Sequence, residues 1–420
     1  MIVSAMSGNE AYCLNQKGFQ PGEIVVGNSV CSLGVLGGLG AFGRNLTGGE
    51  VENVTSLISE GRHAAIERME KEAKKHGASG VTAVSSELRT LSGYQEFLSQ
   101  GTAIHGTPDP SQPFFSTASS GMELYCHMDA GYRPIRFSMG NVAYALGVGQ
   151  GLVGSLRTMG RGEVKEFSAM YNRVRHLALA RLRKEASKLG ANAVVDVKIR
   201  ILPYGPGAVE LLMTGTASHH PAFSSGPVEP DDVRTSELTG EELWNLAAMG
   251  LAPVQLCMAT SVYSLGIVGG IGTMFQGMSR GELPELTSLI YSARENCVDL
   301  IRQEAERFGA EQVIGNRLSI RELSPGLIEV MSVGTAVKRV EGVTPRSTVL
   351  IPQAIIFDRD GIESDPIARG DGNVAVNAMQ NVQRTRAQAQ GCIPLLIVGM
   401  VVSMMSCFGF VAAILGSHGN

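Results

Sequence analysis

The stretch Gly49–Ala78, GEVENVTSLISEGRHAAIERMEKEAKKHGA, decides the fold because it occurs twice more, as GEVKEFSAMYNRVRHLALARLRKEASKLGA over Gly162–Ala191 and GELPELTSLIYSARENCVDLIRQEAERFGA over Gly281–Ala310. The three align without a gap. Counting from each opening glutamate (Glu50, Glu163, Glu282), an arginine recurs twelve positions on (Arg62, Arg175, Arg294) and a Glu-Ala step twenty-two on (Glu72, Glu185, Glu304). Val54, Ile58, Ala65, Met69 and Ala73, matched in the second copy by Phe167, Tyr171, Ala178, Leu182 and Ala186, recur at helical spacing and predict a long helix with one buried face. The closing Gly-Ala is a natural C-cap.

The pattern extends outward from this helix. Downstream, Ala193–Leu202 and Val209–Ala217 alternate as two strands around a Pro-Tyr-Gly-Pro-Gly turn. Each copy closes on Gly-Thr-Ala, at Gly101–Ala103, Gly215–Ala217 and Gly334–Ala336. Upstream, a Gly-x-x-Pro step (Gly18–Pro21, Gly131–Pro134, Gly250–Pro253) opens a strand such as Ile135–Met139 or Val254–Met258. That strand runs into a glycine-rich turn, Gly34–Gly49 with counterparts Gly147–Gly162 and Gly266–Gly281. A short amphipathic stretch comes first, clearest where Thr239 and Glu242 form a capping box ahead of Leu243 and Trp244. The unit is therefore β-α-β-β, of the α+β class. Three tandem units span residues 7–106, 119–220 and 236–340, and Thr107–Ser119 and Pro221–Arg234, rich in Pro, Ser and Asp, read as solvated linkers.

After the third copy, residues 341–391 read as a juxtamembrane linker containing a strand at Thr348–Phe357 and a turn at Asp358–Gly361. The uncharged run Ile393–Leu415 within residues 392–416 is long enough, at about 1.5 Å per residue, to cross a hydrocarbon core of about 30 Å. A single C-terminal transmembrane helix embedded in the lipid bilayer is expected. Arg384 and Arg386 precede it, so the positive-inside bias places the N-terminal bulk in the cytoplasm. Met1–Gln16 lacks the basic and apolar regions of a secretory signal.

Composition narrows the function. A net charge of -4 offers no broad basic field for nucleic acid. Seven cysteines occur without a CxxC pair, as in reduced cytosolic thiols. Columns identical in all three copies are mostly Gly, Ala, Glu, Arg and Thr. No His or Cys column survives: His63 matches His176 but then Glu295, and Cys31 matches Tyr144 and Tyr263. A metal site common to the copies lacks ligands, and no repeated Ser or Cys stands beside a His as nucleophile and base. The glycine-rich turn lacks a Gly-Lys-Ser/Thr ending, and its glutamate would repel phosphate. No cofactor and no enzymatic activity are expected. The shared Glu50, Arg62, Glu72, Glu163, Arg175, Glu185, Glu282, Arg294 and Glu304 read as structural or oligomer-interface residues. The first glutamate of each set would offset a helix dipole, and the arginine would pair with a carboxylate between units. On one helix, Glu50, Arg62 and Glu72 would form a loose polar seam.

The Gly-Glu step, helix, Gly-Ala, alternating strands and terminal Gly-Thr-Ala resemble the YbjQ family, small bacterial proteins described as heavy-metal-binding domains. The resemblance covers roughly residues 18–106, 131–220 and 250–340 and implies a dodecin-like β-α-β-β fold and ring-shaped, typically pentameric, oligomers. Three fused copies and a membrane tail depart from that single-domain pattern. A three-stranded sheet with one helix also leaves open strand edges, which favours association. The expected object is a membrane-anchored, non-catalytic homo-oligomeric scaffold of stacked rings, each ring built from one copy of several chains. The alternative is a metal-ion or small-ligand binding module using cavities between subunits, to which His63, His76, His176 and nearby cysteines would contribute.

Overall fold

Alternation and helical periodicity resolve, in a computed structural model describing residues 2–31, 49–91, 94–106, 109, 111–145, 162–203, 208–223, 226–265, 284–324 and 327–351, into three repeats of one sheet-plus-helix unit. The first contains α1 (Gly8–Gln16), β1 (Gln20–Cys31), β2 (Gly49–Glu50), α2 (Glu52–Lys75), β3 (Gly80–Leu91) and β4 (Tyr94–His105). The second contains β5 (Phe115–Ser116), α3 (Gly121–Asp129), β6 (Arg133–Ala145), β7 (Gly162–Glu163), α4 (Lys165–Lys188), β8 (Ala193–Pro203) and β9 (Ala208–His219). The third contains β10 (Arg234–Thr235), α5 (Gly240–Ala248), β11 (Leu251–Ser264), α6 (Pro284–Arg307), β12 (Gln312–Ser324) and β13 (Leu327–Arg339).

Local signals explain the boundaries. Ser7 and Glu10 close a capping box on α1, and Thr239 and Glu242 close the one foreseen on α5. The long helices end one residue before a cap followed by a left-handed glycine, with φ of 70°, 74° and 63° at Gly77, Gly190 and Gly309. In each copy the last strand lies between the first strand and its own hairpin partner, in the orders β1-β4-β3, β6-β9-β8 and β11-β13-β12. The long helix crosses its own first strand so closely that a Cβ added at Gly140 would stand 2.1 Å from the Ala178 carbonyl oxygen.

Each hairpin bulges at the same column. Ala83, Asp196 and Gly315 have φ of 53°, 54° and 63°, and strand pairing shifts register there in all three copies. The bulge frees backbone N–H groups for the connecting chain: Ala83 and Val84 donate to the Ser119 and Thr117 carbonyls, and Val197 donates to Ser236. The predicted solvated linkers therefore need correction at their C-terminal ends. β5 pairs in parallel with β3, β10 pairs in parallel with β8, and Ser116, Thr117, Ser119 and Thr235 are buried. Thr216 and Thr335 of the Gly-Thr-Ala steps hold the same connectors, bonding Thr117, Ala118 and the Glu237 N–H.

Two other expectations change. Glu50 and Glu163 precede their helices and lie in the short strands β2 and β7, so no single helix carries the seam of Glu50, Arg62 and Glu72; Glu52 and Glu166 are the acids of the first turns. The copies are also not separate units joined only by solvated linkers. β2 pairs with β6 of the second copy and β7 with β11 of the third, so the copies abut in one row. The expected strand at Thr348–Phe357 is not formed in its described part, which has bends at Thr348 and Val349 and no strand through Ile351; residues 352–357, the Asp358–Gly361 turn, most of each glycine-rich turn and the transmembrane run lie outside the described residues. Among the described residues no helix is long and apolar enough to cross a membrane.

A left-handed φ costs a residue with a Cβ about 1 kcal/mol. Ala83→Gly is accordingly expected to stabilise the fold by roughly that amount, read as a thermal midpoint raised by a few degrees in differential scanning calorimetry.

Candidate functional site at the junctions between copies

The long helices α2 and α4 each have two partners: their own sheet and the first strand of the next copy. Val51, Val54, Ile58, Ala65 and Phe97 of the first copy share an apolar cluster with Ala143 of the second. Tyr144, Tyr171, Val174 and Leu182 share another with Leu256, Met258 and Val262 of the third. These junctions are core, because removing apolar side chains from water at about 25 cal/mol per Å² contributes here as inside a domain.

The shared arginines sit at the centre of this apolar contact. Arg62 is fully buried and donates through Nε and Nη2 to both oxygens of Glu210 in the next copy, at 2.9 and 2.6 Å, while Nη1 donates to Ser86 at 2.9 Å. Arg175 repeats this across the second junction by donating to Glu329, whose other oxygen accepts from Arg321 at 2.6 Å. Burial alone would raise the Glu329 carboxyl, but Arg175 and Arg321 outweigh it and hold the group below the usual carboxylate range. Glu210 and Glu329 went unnoticed in the sequence. Their signal was available, since a glutamate stands five residues before the Gly-Thr-Ala glycine in every copy: Glu96, Glu210 and Glu329.

Backbone bonds fix the same contact. The Val51 and Val164 N–H groups donate to the Ala143 and Val262 carbonyls, and those residues' N–H groups donate to the hydroxyls of Thr55 and Ser168. Glu50 reaches across to Arg181 at 2.7 Å, and Glu163 accepts from Asn296. The last glutamates do different work. Glu72, Glu185 and Glu304 each accept the N–H of their own first strand, from Val26, Met139 and Met258. Glu185 and Glu304 are also met by a histidine of the preceding copy, His63 at 2.8 Å and His176 at 3.7 Å. The Glu185 hydrogen bond, against the effect of burial, raises the His63 pKa, whereas burial lowers that of His176 and lifts the Glu304 carboxyl to about 7.

Arg294, the third member of the arginine column, is exposed. Glu282 lies outside the described residues. A buried hub ties the short helices together: Asp129 accepts from Lys17 at 2.5 Å, from the Trp244 indole at 2.7 Å and from Ser347. His76 bonds Glu23 at 2.5 Å and lies apart from His63 and His176, with His105 on the other Glu23 oxygen. Among the described residues no three His, Cys, Asp or Glu side chains are placed to hold a metal ion, and Cys13, Cys31, Cys126, Cys257 and Cys297 are free thiols. The residues described do not fit a heavy-metal centre.

Comparison with known proteins places the three copies together. The profile of the YbjQ family, described as "putative heavy-metal-binding", matches residues 15–107, 132–220 and 251–340. An encapsulin nanocompartment protein of Mycobacterium tuberculosis is 32% identical over 224 residues, covering 51% of this chain and 84% of that protein. A UPF0145 protein of Archaeoglobus fulgidus is 42% identical over 78 residues, 19% of this chain and 72% of that protein. One from Thermotoga maritima is 37% identical over 78 residues, 19% and 74% of the respective chains. No solved structure matches the chain.

Removing Glu210 would strand a buried guanidinium. Glu210→Ala is expected to destabilise the protein by about 3–5 kcal/mol, whereas Glu96→Ala, in the same column but with no ion pair among the described residues, costs about 0.5 kcal/mol or less in the isolated chain; urea unfolding measures both. Glu304 supplies a pH test. Its folded carboxyl keeps a proton to about pH 7 against a usual 4.5, so the unfolded state binds fewer protons between those values and stability falls as pH rises through that window. Glu304→Gln should remove this loss, so that the variant's thermal midpoint exceeds that of the parent above pH 7 and matches it near pH 5.

Proposed function

The chain belongs to the YbjQ family, and from that premise we propose that it is a non-catalytic, self-assembling scaffold, a homo-oligomer held to a membrane by residues 392–416 with its N-terminal bulk in the cytoplasm. The observation that carries this reading is that the shared residues are spent on packing one copy against the next. Arg62, Arg175, Glu50 and Glu163 all bond across a junction. Such a unit is made to be tiled. The encapsulin nanocompartment relative supports the same direction by its name. On this reading the domains keep the spans 7–106, 119–220 and 236–340, the family's rings suggest a pentamer, and Glu50, Arg62, Glu72, Glu163, Arg175, Glu185, Glu282, Arg294 and Glu304 are structural or interface residues.

A second reading, binding of a metal ion or small ligand in cavities between subunits, is favoured by the family description, and within the chain the junction of α4 and α6 offers a comparable cleft of about 450 Å³ that includes Asn172, His176, Glu304 and Arg307. Native mass spectrometry of the detergent-extracted full-length protein distinguishes the two. The scaffold reading expects an integer multiple of the chain mass with no stoichiometric adduct. A monomer at micromolar concentration would sink it, and a bound ligand at fixed stoichiometry would favour the second reading. Extraction with alkaline carbonate should leave the chain in the membrane pellet, whereas a chain ending at residue 391 should be released.

A further inference from the structure

The row of copies has two unlike ends, and each end is half of a junction. Its leading face is β1. Ile24, Val26 and Val30 are 45%, 43% and 58% exposed, whereas their counterparts are covered by the preceding helix: Phe137, Met139 and Ala143 in the second copy and Leu256, Met258 and Val262 in the third are at most 2% exposed. Glu96, partly exposed, stands opposite Val30 as Glu210 stands opposite Ala143 and Glu329 opposite Val262. The trailing face is α6. Thr287 and Arg294 are exposed, although the equivalent Thr55, Ser168, Arg62 and Arg175 are buried against a following strand. Tyr291, on the same face, is 62% exposed.

We propose that these ends are complementary, so that α6 of one chain docks on β1 of a second copy of this chain and reproduces the internal junction, with Arg294 entering the Glu96 position of its neighbour. This deepens the scaffold reading and rests on it. Charge complementarity is specific to this pairing. At the first junction Glu70 forms a two-pronged pair with Arg136, at 3.0 and 2.9 Å. The same columns across the open ends hold Arg302 on α6 and Glu23 on β1, a pair of opposite sign in the reverse order. Among the described residues Arg302 bonds the exposed Asp299 of its own helix, and Glu23 is shared by His76 and His105, so the pair forms by displacing partly exposed ion pairs of the kind worth little. The third column is discordant. Where His63 meets Glu185 and His176 meets Glu304, the open ends bring Glu295 to Glu72. The contact between chains is therefore a weaker version of the contact within them. Such a head-to-tail contact is heterologous, closing into a ring or continuing as a filament according to its rotation.

The test uses the purified full-length chain, its mass distribution followed by mass photometry across a dilution series. Arg294→Glu and Glu96→Arg are each expected to weaken assembly tenfold or more, because each sets like charges in the docked core. The double variant carrying both should recover assembly by restoring an opposite pair. Glu295→His should strengthen assembly beyond the parent, a gain that damage to the fold does not imitate. Both arginine and glutamate are exposed or partly exposed in the single chain, so circular dichroism of the single variants should match the parent. A parent that assembles while both single variants assemble equally well would overturn the docking, leave β1 to another occupant and spare the scaffold reading. A monomeric parent would overturn both.

Discussion

A guanidinium removed from water must be met by a carboxylate, and in this chain the carboxylate belongs to the next copy. Arg62 and Arg175 are buried in apolar surroundings where an unpaired charge costs several kcal/mol. Neither helix could keep its inward face without Glu210 or Glu329 beyond it. A buried pair of this kind adds less to stability than apolar packing would, but it fixes position. With bidentate geometry at the first junction, a slip of one helical turn would leave both partners stranded. The apolar clusters supply cohesion and the ion pairs supply register.

This division of labour explains why the shared columns are chemically monotonous. They hold no recurring nucleophile, base or soft ligand, and the bonds they make join strands, connectors and neighbouring copies. Threonines of the Gly-Thr-Ala steps receive connectors, glutamates after the arginine cap strand N–H groups, and the arginine itself locks neighbours. The histidines His63 and His176, in a column that the third copy does not keep, add contacts to junctions whose basic geometry is already set.

Most of the fold could be read from the repeat. The long helix, its glycine stop, the hairpin and the first strand follow from periodicity of 3.6 and 2 and from caps that act locally. The misreadings share one physical origin, which is that sequence spacing reports contacts within an element and not between copies. Glu50 seemed to open a helix because it stands one turn from the first apolar residue, yet its backbone pairs with Tyr144, nearly a hundred residues away. The connectors looked solvated because Ser, Thr and Pro are usual in loops. Only the bulge at Ala83 and Asp196 reveals the N–H groups that draw them into the sheet. The Glu96, Glu210 and Glu329 column was legible, but each of these residues alternates among strand positions and reads as a surface charge until its arginine is located.

Fusion of the copies changes how association responds to dilution. Where separate single-domain chains would form every junction by mass action, here two contacts are intramolecular, governed by the effective concentration that a short tether sets and indifferent to how much protein is present. The ordering entropy of three units is met once, when one polypeptide folds. On the proposed docking, the equilibrium of this protein with its own kind is left to a single surface at each end of the row, so a modest change there, of the size one side chain supplies, would move the whole population.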